Sequence, residues 1–206
     1  MPVGRAVLEA SVSQYAALTR RGVPLPGGIA VNVARGQLAR PGLAADVLGT
    51  LARHGVPGSQ LALEITEATA LPDPDLARSE LDQLVMAGVR VVIDDYGLGW
   101  SNLSRVLELP ASTLKLDRSI AGAVSGDPRA VLMVRSTVAL ATSLGLDVVA
   151  EGVETPDARQ LLADAGCAWA QGWLFSAAVP GRALPDALAR LTAQAVPVAG
   201  GGVRAG

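Results

Sequence analysis

The chain has 206 residues, a length that suits a single domain. Half of its residues are hydrophobic but only 3% are aromatic, so we expect an aliphatic core. A formal net charge of −2 gives no basic surface for binding a nucleic-acid polymer, and the single cysteine, Cys167, excludes an internal disulfide. No signal peptide and no apolar segment of membrane-spanning length is evident, so we expect a cytoplasmic protein that does not insert into a membrane.

Apolar runs and helical periodicities alternate along the chain. Strands are predicted at residues 29–33, 61–67, 89–93, 113–117, 146–151 and 168–171. Helices are predicted at about residues 3–21, 41–54, 72–87, 127–144, 156–166 and 182–191, with a helical turn at about 102–107. This rhythm predicts parallel β/α units in one domain over residues 1–194, and the aperiodic tail at 195–206 predicts disorder.

In the stretch from Val91 to Trp100, an apolar run that predicts a buried strand is followed by a loop with two glycines. Its strand ends in two adjacent carboxylates, Asp94 and Asp95, which are costly unless a cation or hydrogen bonds compensate them. Aspartate is also common in solvated strand-to-helix turns, so the pair alone leaves both interpretations open.

Every predicted strand carries a polar residue at or near its C-terminal end: Asn32, Glu64, Asp94 with Asp95, Lys115, Glu151 and Gln171. In a β/α barrel that end holds the active site, and six strands with the same feature favour a site over six separate turns. Their oxygen donors suit Mg²⁺ or Mn²⁺, and two such ions suit phosphodiester hydrolysis. Lys115 either orients a water or forms a structural ion pair with Asp94 or Asp95.

Six stretches resemble, in order, the motifs of the EAL domain of bacterial cyclic di-GMP phosphodiesterases. They are Val31-Asn32-Val33-Ala34, Leu63-Glu64-Ile65-Thr66-Glu67, Ile93-Asp94-Asp95-Tyr96-Gly97, Leu114-Lys115-Leu116-Asp117-Arg118-Ser119, Val149-Ala150-Glu151-Gly152-Val153-Glu154-Thr155 and Gln171-Gly172-Trp173-Leu174-Phe175-Ser176. The resemblance implies an α/β fold, a modified TIM barrel that is incomplete here with about six parallel strands. It also implies hydrolysis of cyclic di-GMP to pGpG with two Mg²⁺ or Mn²⁺ ions.

The resemblance also implies residue roles. The metal ligands would be Asn32, Glu64, Asp94 and Asp95. The catalytic residues would be Lys115, which contacts the attacking water, Glu151 beside the metals, and Glu67, which anchors the loop after Asp95. Asp117 and Gln171 would lie at the substrate, with Gln171 in or next to the metal shell.

Two departures from the family pattern affect the expected function. The Glu-Ala-Leu segment and its following arginine are absent from these residues, and Glu9, on a helix, does not replace that glutamate. Leu98, Trp100 and Asn102 stand where the family usually has Thr, Tyr and Ser. We therefore expect a truncated domain or a misassigned start, impaired activity, and a homodimer or association through exposed barrel edges. The alternative function is an inactive module that binds cyclic di-GMP or a protein partner.

Overall fold

The computed structural model describes residues 2–66, 69, 73–97, 108–194 and 204–205. The chain divides into two units. The first comprises Met1–Asp94 and Ser101–Thr113, and the second comprises Asp95–Trp100 and Leu114–Gly206. Among the described residues, no helix combines the length and the apolar character needed to cross a membrane.

The elements of the first unit follow the predicted alternation. Helix α1 is Pro2–Arg20, strand β1 is Ile29–Asn32, and the short helix α2 is Arg35–Leu38. Helix α3 spans Leu43–His54, β2 spans Leu61–Thr66 after a 3₁₀ turn at Gly58–Gln60, and α4 spans Pro74–Met86. Strand β3 spans Arg90–Tyr96 and continues into the second unit. The predicted helical turn at residues 102–107 lies outside the described residues.

Strands β1, β2 and β3 of the first unit are parallel neighbours. Their apolar side chains pack with those of α1, α3 and α4 into one cluster that includes Val12, Leu51, Leu63, Leu81 and Val91. Apart from Tyr15, the buried residues of this cluster are aliphatic, as the aromatic-poor composition predicts. The helices cover the strands and leave the C-terminal strand ends to carry polar groups.

The second unit repeats the same pattern. Strand β4 is Thr113–Leu116, α5 is Arg118–Ala123, α6 is Pro128–Ser143, β5 is Asp147–Ala150, and α7 is Pro156–Asp164. Strand β6 is Trp169–Ala170 and α8 is Leu184–Gln194, preceded by a 3₁₀ turn at Gly181–Ala183. Helix α5 was not predicted.

In the second unit, β4, β5 and β6 are adjacent in chain order. A two-residue strand, β7 (Arg204–Ala205), pairs in parallel with β6. The predicted disordered tail otherwise falls at residues 195–203 and 206, which lie outside the described residues. Six parallel strands, β1 to β6, therefore account for the predicted strand set, and β7 adds a short seventh.

Candidate functional site

Three of the predicted metal ligands lie on one face of the first unit's strands. Asn32 is in register with Glu64, and Asp94 is in register with Thr66, two residues beyond Glu64 on β2. Because in-register side chains of parallel strands point to the same face, Asn32, Glu64 and Asp94 share that face near the strand ends. The Asn32 amide Nδ2 donates to Glu64 Oε2 at 3.0 Å, which brings the first two side chains into contact.

In the second unit, backbone hydrogen bonds join the C-terminal ends of successive strands. The N–H of Asp117 donates to the carbonyl of Tyr96 at 3.1 Å, and the N–H of Glu151 donates to the carbonyl of Leu116 at 3.1 Å. The N–H of Gln171 in turn donates to the carbonyl of Ala150 at 2.8 Å. The C-terminal ends of these strands therefore meet, as expected for parallel neighbours.

Glu151 is the centre of a cluster of polar side chains at these strand ends. Its Oε1 lies 2.5 Å from Lys115 Nζ and also accepts a hydrogen bond from Gln171 Nε2 at 2.5 Å. The side chains of Lys115 and Glu151 are only 7% and 16% exposed, so this is a largely buried ion pair. Lys115 thus forms an ion pair, as one of its two interpretations predicts, and Glu151 is a partner that the sequence did not indicate.

Asp95 brings a second carboxylate to this cluster. A carboxylate oxygen of Asp95 lies within 4.8 Å of one from Glu151, a separation that a shared cation can bridge. Asp95 has a φ of 57°, a left-handed backbone that costs energy in residues other than glycine and that aspartate tolerates better than most. This conformation lets two adjacent aspartates, Asp94 and Asp95, depart from the simple alternation of a strand.

Asp117 has a different environment from the other predicted site residues. It is the N-cap of α5, where its Oδ1 accepts hydrogen bonds from the Ser119 N–H at 2.8 Å and the Ser119 hydroxyl at 2.5 Å. Burial alone raises the pKa of this carboxyl, but the Ser119 hydrogen bonds and the Arg118 guanidinium outweigh it, so the net pKa lies below its usual value. The structure thus gives Asp117 a helix-capping role that was not predicted.

Four predicted positions lie outside the described residues: Glu67, and the divergent loop positions Leu98, Trp100 and Asn102. Glu9, which the sequence excludes as a replacement ligand, lies on α1. It pairs with His54 Nε2 at 2.6 Å and Arg53 Nη2 at 2.5 Å, both on α3. Hydrogen bonds from His54 and then Arg53 lower the pKa of Glu9. Glu9 therefore joins two helices.

The fold and these strand ends define a parallel α/β protein with acidic side chains at the C-terminal ends of its strands. The chain matches the EAL domain family over residues 2–178 and belongs to that family. Its α/β fold, with six parallel strands, is of the modified TIM-barrel type of EAL domains, as predicted from the resemblance.

Three similar proteins, MucR, DcpA and BlrP1, illustrate the family. MucR of Pseudomonas aeruginosa, a bifunctional diguanylate cyclase/cyclic di-GMP phosphodiesterase, is 41% identical over 156 residues, which are 76% of this chain and 23% of MucR. The crystal structure of the EAL domain of Mycobacterium smegmatis DcpA has 37% identity and a TM-score of 0.86, with 91% of this chain and 84% of that one covered.

The manganese and cyclic di-GMP complex of Klebsiella pneumoniae BlrP1 has 30% identity and a TM-score of 0.74, with 84% of this chain and 44% of that one covered. The chain spans less than a third of the length of the curated relatives that head the comparison, 29% in three mycobacterial proteins.

Proposed function

We propose that this chain is a cyclic di-GMP phosphodiesterase module that hydrolyses cyclic di-GMP to pGpG. The observation that carries the proposal is membership in the EAL family over residues 2–178, together with the polar side chains at the ends of six consecutive strands. The activity in the name of MucR supports the same reaction.

We further propose that Asn32, Glu64, Asp94 and Asp95 bind two Mg²⁺ or Mn²⁺ ions. The donors fit such ions, because carboxylate and amide oxygens are the ligands that hard divalent cations prefer. Asn32 and Glu64 are in contact, and Asp94 shares their strand face. When bound, such cations stabilise the charge that develops on the oxygens of a phosphodiester during hydrolysis.

The remaining site residues have roles that we propose from the family resemblance, and contacts support the roles of Lys115 and Glu151. The Lys115 ammonium, held by Glu151, is a fixed positive charge that can orient a water or stabilise developing negative charge. Glu151 lies beside the proposed metal ligand Asp95 and can accept a proton from an attacking water. Gln171 fixes the Glu151 carboxylate and is proposed to contact substrate from the same position, and Asp117 is proposed to lie near the substrate. Glu67 keeps its proposed anchoring role.

The absence of a Glu-Ala-Leu segment from the 206 residues bears on the rate of the proposed reaction. By the family pattern this segment supplies a further metal ligand, so we expect these residues alone to turn over cyclic di-GMP slowly. The second candidate function is an EAL module that binds cyclic di-GMP or a protein partner without hydrolysing it.

Association and compartment are also proposals. We propose that the chain forms a homodimer or associates through strand edges, because β1 is paired with β2 alone among the described strands. Size-exclusion chromatography with light scattering tests this, and a stable monomer would contradict it. We propose the cytoplasm as the compartment, which the free, buried Cys167 supports.

The proposed function is tested by incubating the protein with cyclic di-GMP and Mn²⁺ and resolving the products by chromatography. We expect pGpG, formed slowly and only with the divalent cation present. A parallel calorimetric titration with cyclic di-GMP separates the two candidate functions. Tight binding without pGpG would support the inactive binding module, and neither binding nor turnover would contradict both candidates.

A further inference from the structure

Strand β7 extends the sheet of the second unit with two residues of the tail at 195–206. It pairs in parallel with β6, with Trp169 opposite Arg204 and Ala170 opposite Ala205. In the strand order, β7 lies on the side of β6 that faces away from β5. The tail therefore places a strand along the outer edge of β6.

The backbone of β6 shows that this outer edge needs a hydrogen-bonding partner. The N–H of Gln171 donates to the carbonyl of Ala150 at 2.8 Å, and the carbonyl of Gln171 accepts from the N–H of Val153 at 3.0 Å, so both groups face the β5 side. Because the backbone groups of successive strand residues point to opposite edges, those of Ala170 face the β7 side. Ala170 is only 1% exposed, and a buried backbone N–H or carbonyl is costly without a partner.

The connection from β6 to β7 has the form of a further β/α unit. Parallel neighbours need a crossover of a dozen or more residues, which is commonly a helix. Residues 171–203 separate the two strands and include α8, Leu184–Gln194. Both strands and the helix belong to the second unit. The chain can therefore bring β7 to this edge in the same way as it connects the other parallel strands.

We infer that β7 is an intramolecular strap that covers the outer edge of β6 and keeps a second copy of this chain from adding a strand there. An open edge presents backbone N–H and carbonyl groups that an extended segment of another molecule can pair with. The strap satisfies these groups through its own backbone, so its side chains have little influence on the pairing. The edge of β1, in the first unit, stays the edge proposed for association. This inference does not depend on the proposed hydrolysis.

The test compares the parent chain with a variant that ends at Val203 and so lacks β7. Arg204→Ala is the matched control, because it shortens a side chain of β7 and keeps the backbone. NMR measures hydrogen exchange of the Ala170 amide, and light scattering over a range of concentrations measures self-association. In the shortened variant we expect the Ala170 amide to exchange about tenfold faster, and self-association to begin at a roughly tenfold lower concentration. Arg204→Ala should match the parent in both measurements.

Equal exchange of the Ala170 amide in the parent and the shortened variant would overturn the inference. Exchange in the parent as fast as in an unfolded peptide would also overturn it, and that result does not depend on how the variant folds. If exchange differs but the two proteins associate equally, the strap does not protect the edge and the inference is wrong. None of these measurements uses turnover of cyclic di-GMP, so the inference can fail while the proposed function stands.

Discussion

At the scale of single residues, Glu151 connects two other side chains of the proposed site. Its Oε1 pairs with the Lys115 ammonium and accepts a hydrogen bond from the Gln171 amide. A largely buried ion pair of this kind is costly to break, because removal of one partner leaves the other charge without compensation in a poorly solvated place. The hydrogen bond from Gln171 adds to the pair and fixes the carboxylate. The geometry therefore links the stability of the second unit to the groups proposed for catalysis.

Lys115→Met tests this link. We expect the free energy of unfolding to fall by about 3 kcal/mol, because the carboxylate of Glu151 stays buried without its cation. The double variant Lys115→Met with Glu151→Gln should recover much of the loss, since neither charge then remains. Urea denaturation measures both, and an equal or larger loss in the double variant would contradict the account.

Asp117 allows a prediction on pH. Its pKa is lowered in the folded protein, so its contribution to stability is present above the unfolded value and is lost as pH falls through the folded value. At pH 7, Asp117→Ala should cost about 1 kcal/mol, and Asp117→Asn, which can still cap α5, should cost less. In urea denaturation at about pH 3, the gap between the parent and Asp117→Ala should shrink. A gap that widens on acidification would be the contrary result.

At the scale of elements, α3 depends on a residue from another helix. Gly42, its N-cap, has a left-handed φ of 103° and no capping side chain. Glu80 of α4, which is 6% exposed, accepts hydrogen bonds from the N–H groups of Gly42 at 2.8 Å and Ala44 at 2.7 Å. A carboxylate at a helix N-terminus satisfies unpaired N–H groups and complements the helix dipole.

Glu80→Gln should therefore lower the free energy of unfolding by about 2 kcal/mol, because a buried carboxylate that accepts two hydrogen bonds is replaced by a neutral amide. Asp82→Asn on the same helix is the control. Asp82 forms only an exposed pair with Arg78, so its loss should cost about 0.5 kcal/mol or less. Thermal unfolding followed by circular dichroism compares the two, and equal shifts would show that Glu80 has no special role.

The elements also show what the sequence could and could not predict. Apolar runs such as Val91 to Ile93 predicted the strands. Polar residues that follow these runs meet within each unit, Asn32 with Glu64 in the first and Lys115 with Glu151 in the second. Helix α5 was missed because its six residues, Arg118–Ala123, are too few to repeat an apolar pattern over several turns and include Gly122. The role of Glu80 was missed because an acidic residue that follows Ser79 and lies two positions before Asp82 is typical of a solvated helix face. The contact of Glu80 with the N-terminus of α3 depends on how the two helices pack, which the local sequence does not show.

At the scale of the whole molecule, each of the two units carries several of the residues with proposed roles. The first unit holds Asn32, Glu64 and Asp94 on one strand face, and the second holds Asp95, Lys115, Glu151 and Gln171. The family motifs in the sequence predicted roles for both sets, and these roles stay predictions. The ion pair of Lys115 with Glu151 could not be predicted, because several carboxylates follow the predicted strands and the sequence does not say which of them Lys115 contacts.

The most direct test of the proposed function is the conversion of cyclic di-GMP to pGpG by the chain and by its Glu151→Gln variant. Each is assayed with Mn²⁺ and with excess EDTA, and folding is checked by circular dichroism. We predict slow pGpG formation by the unchanged chain with Mn²⁺, none with EDTA, and a rate at least a hundredfold lower for Glu151→Gln, as expected when a general base is lost. Equal rates for the two proteins, or turnover that persists in EDTA, would contradict the account.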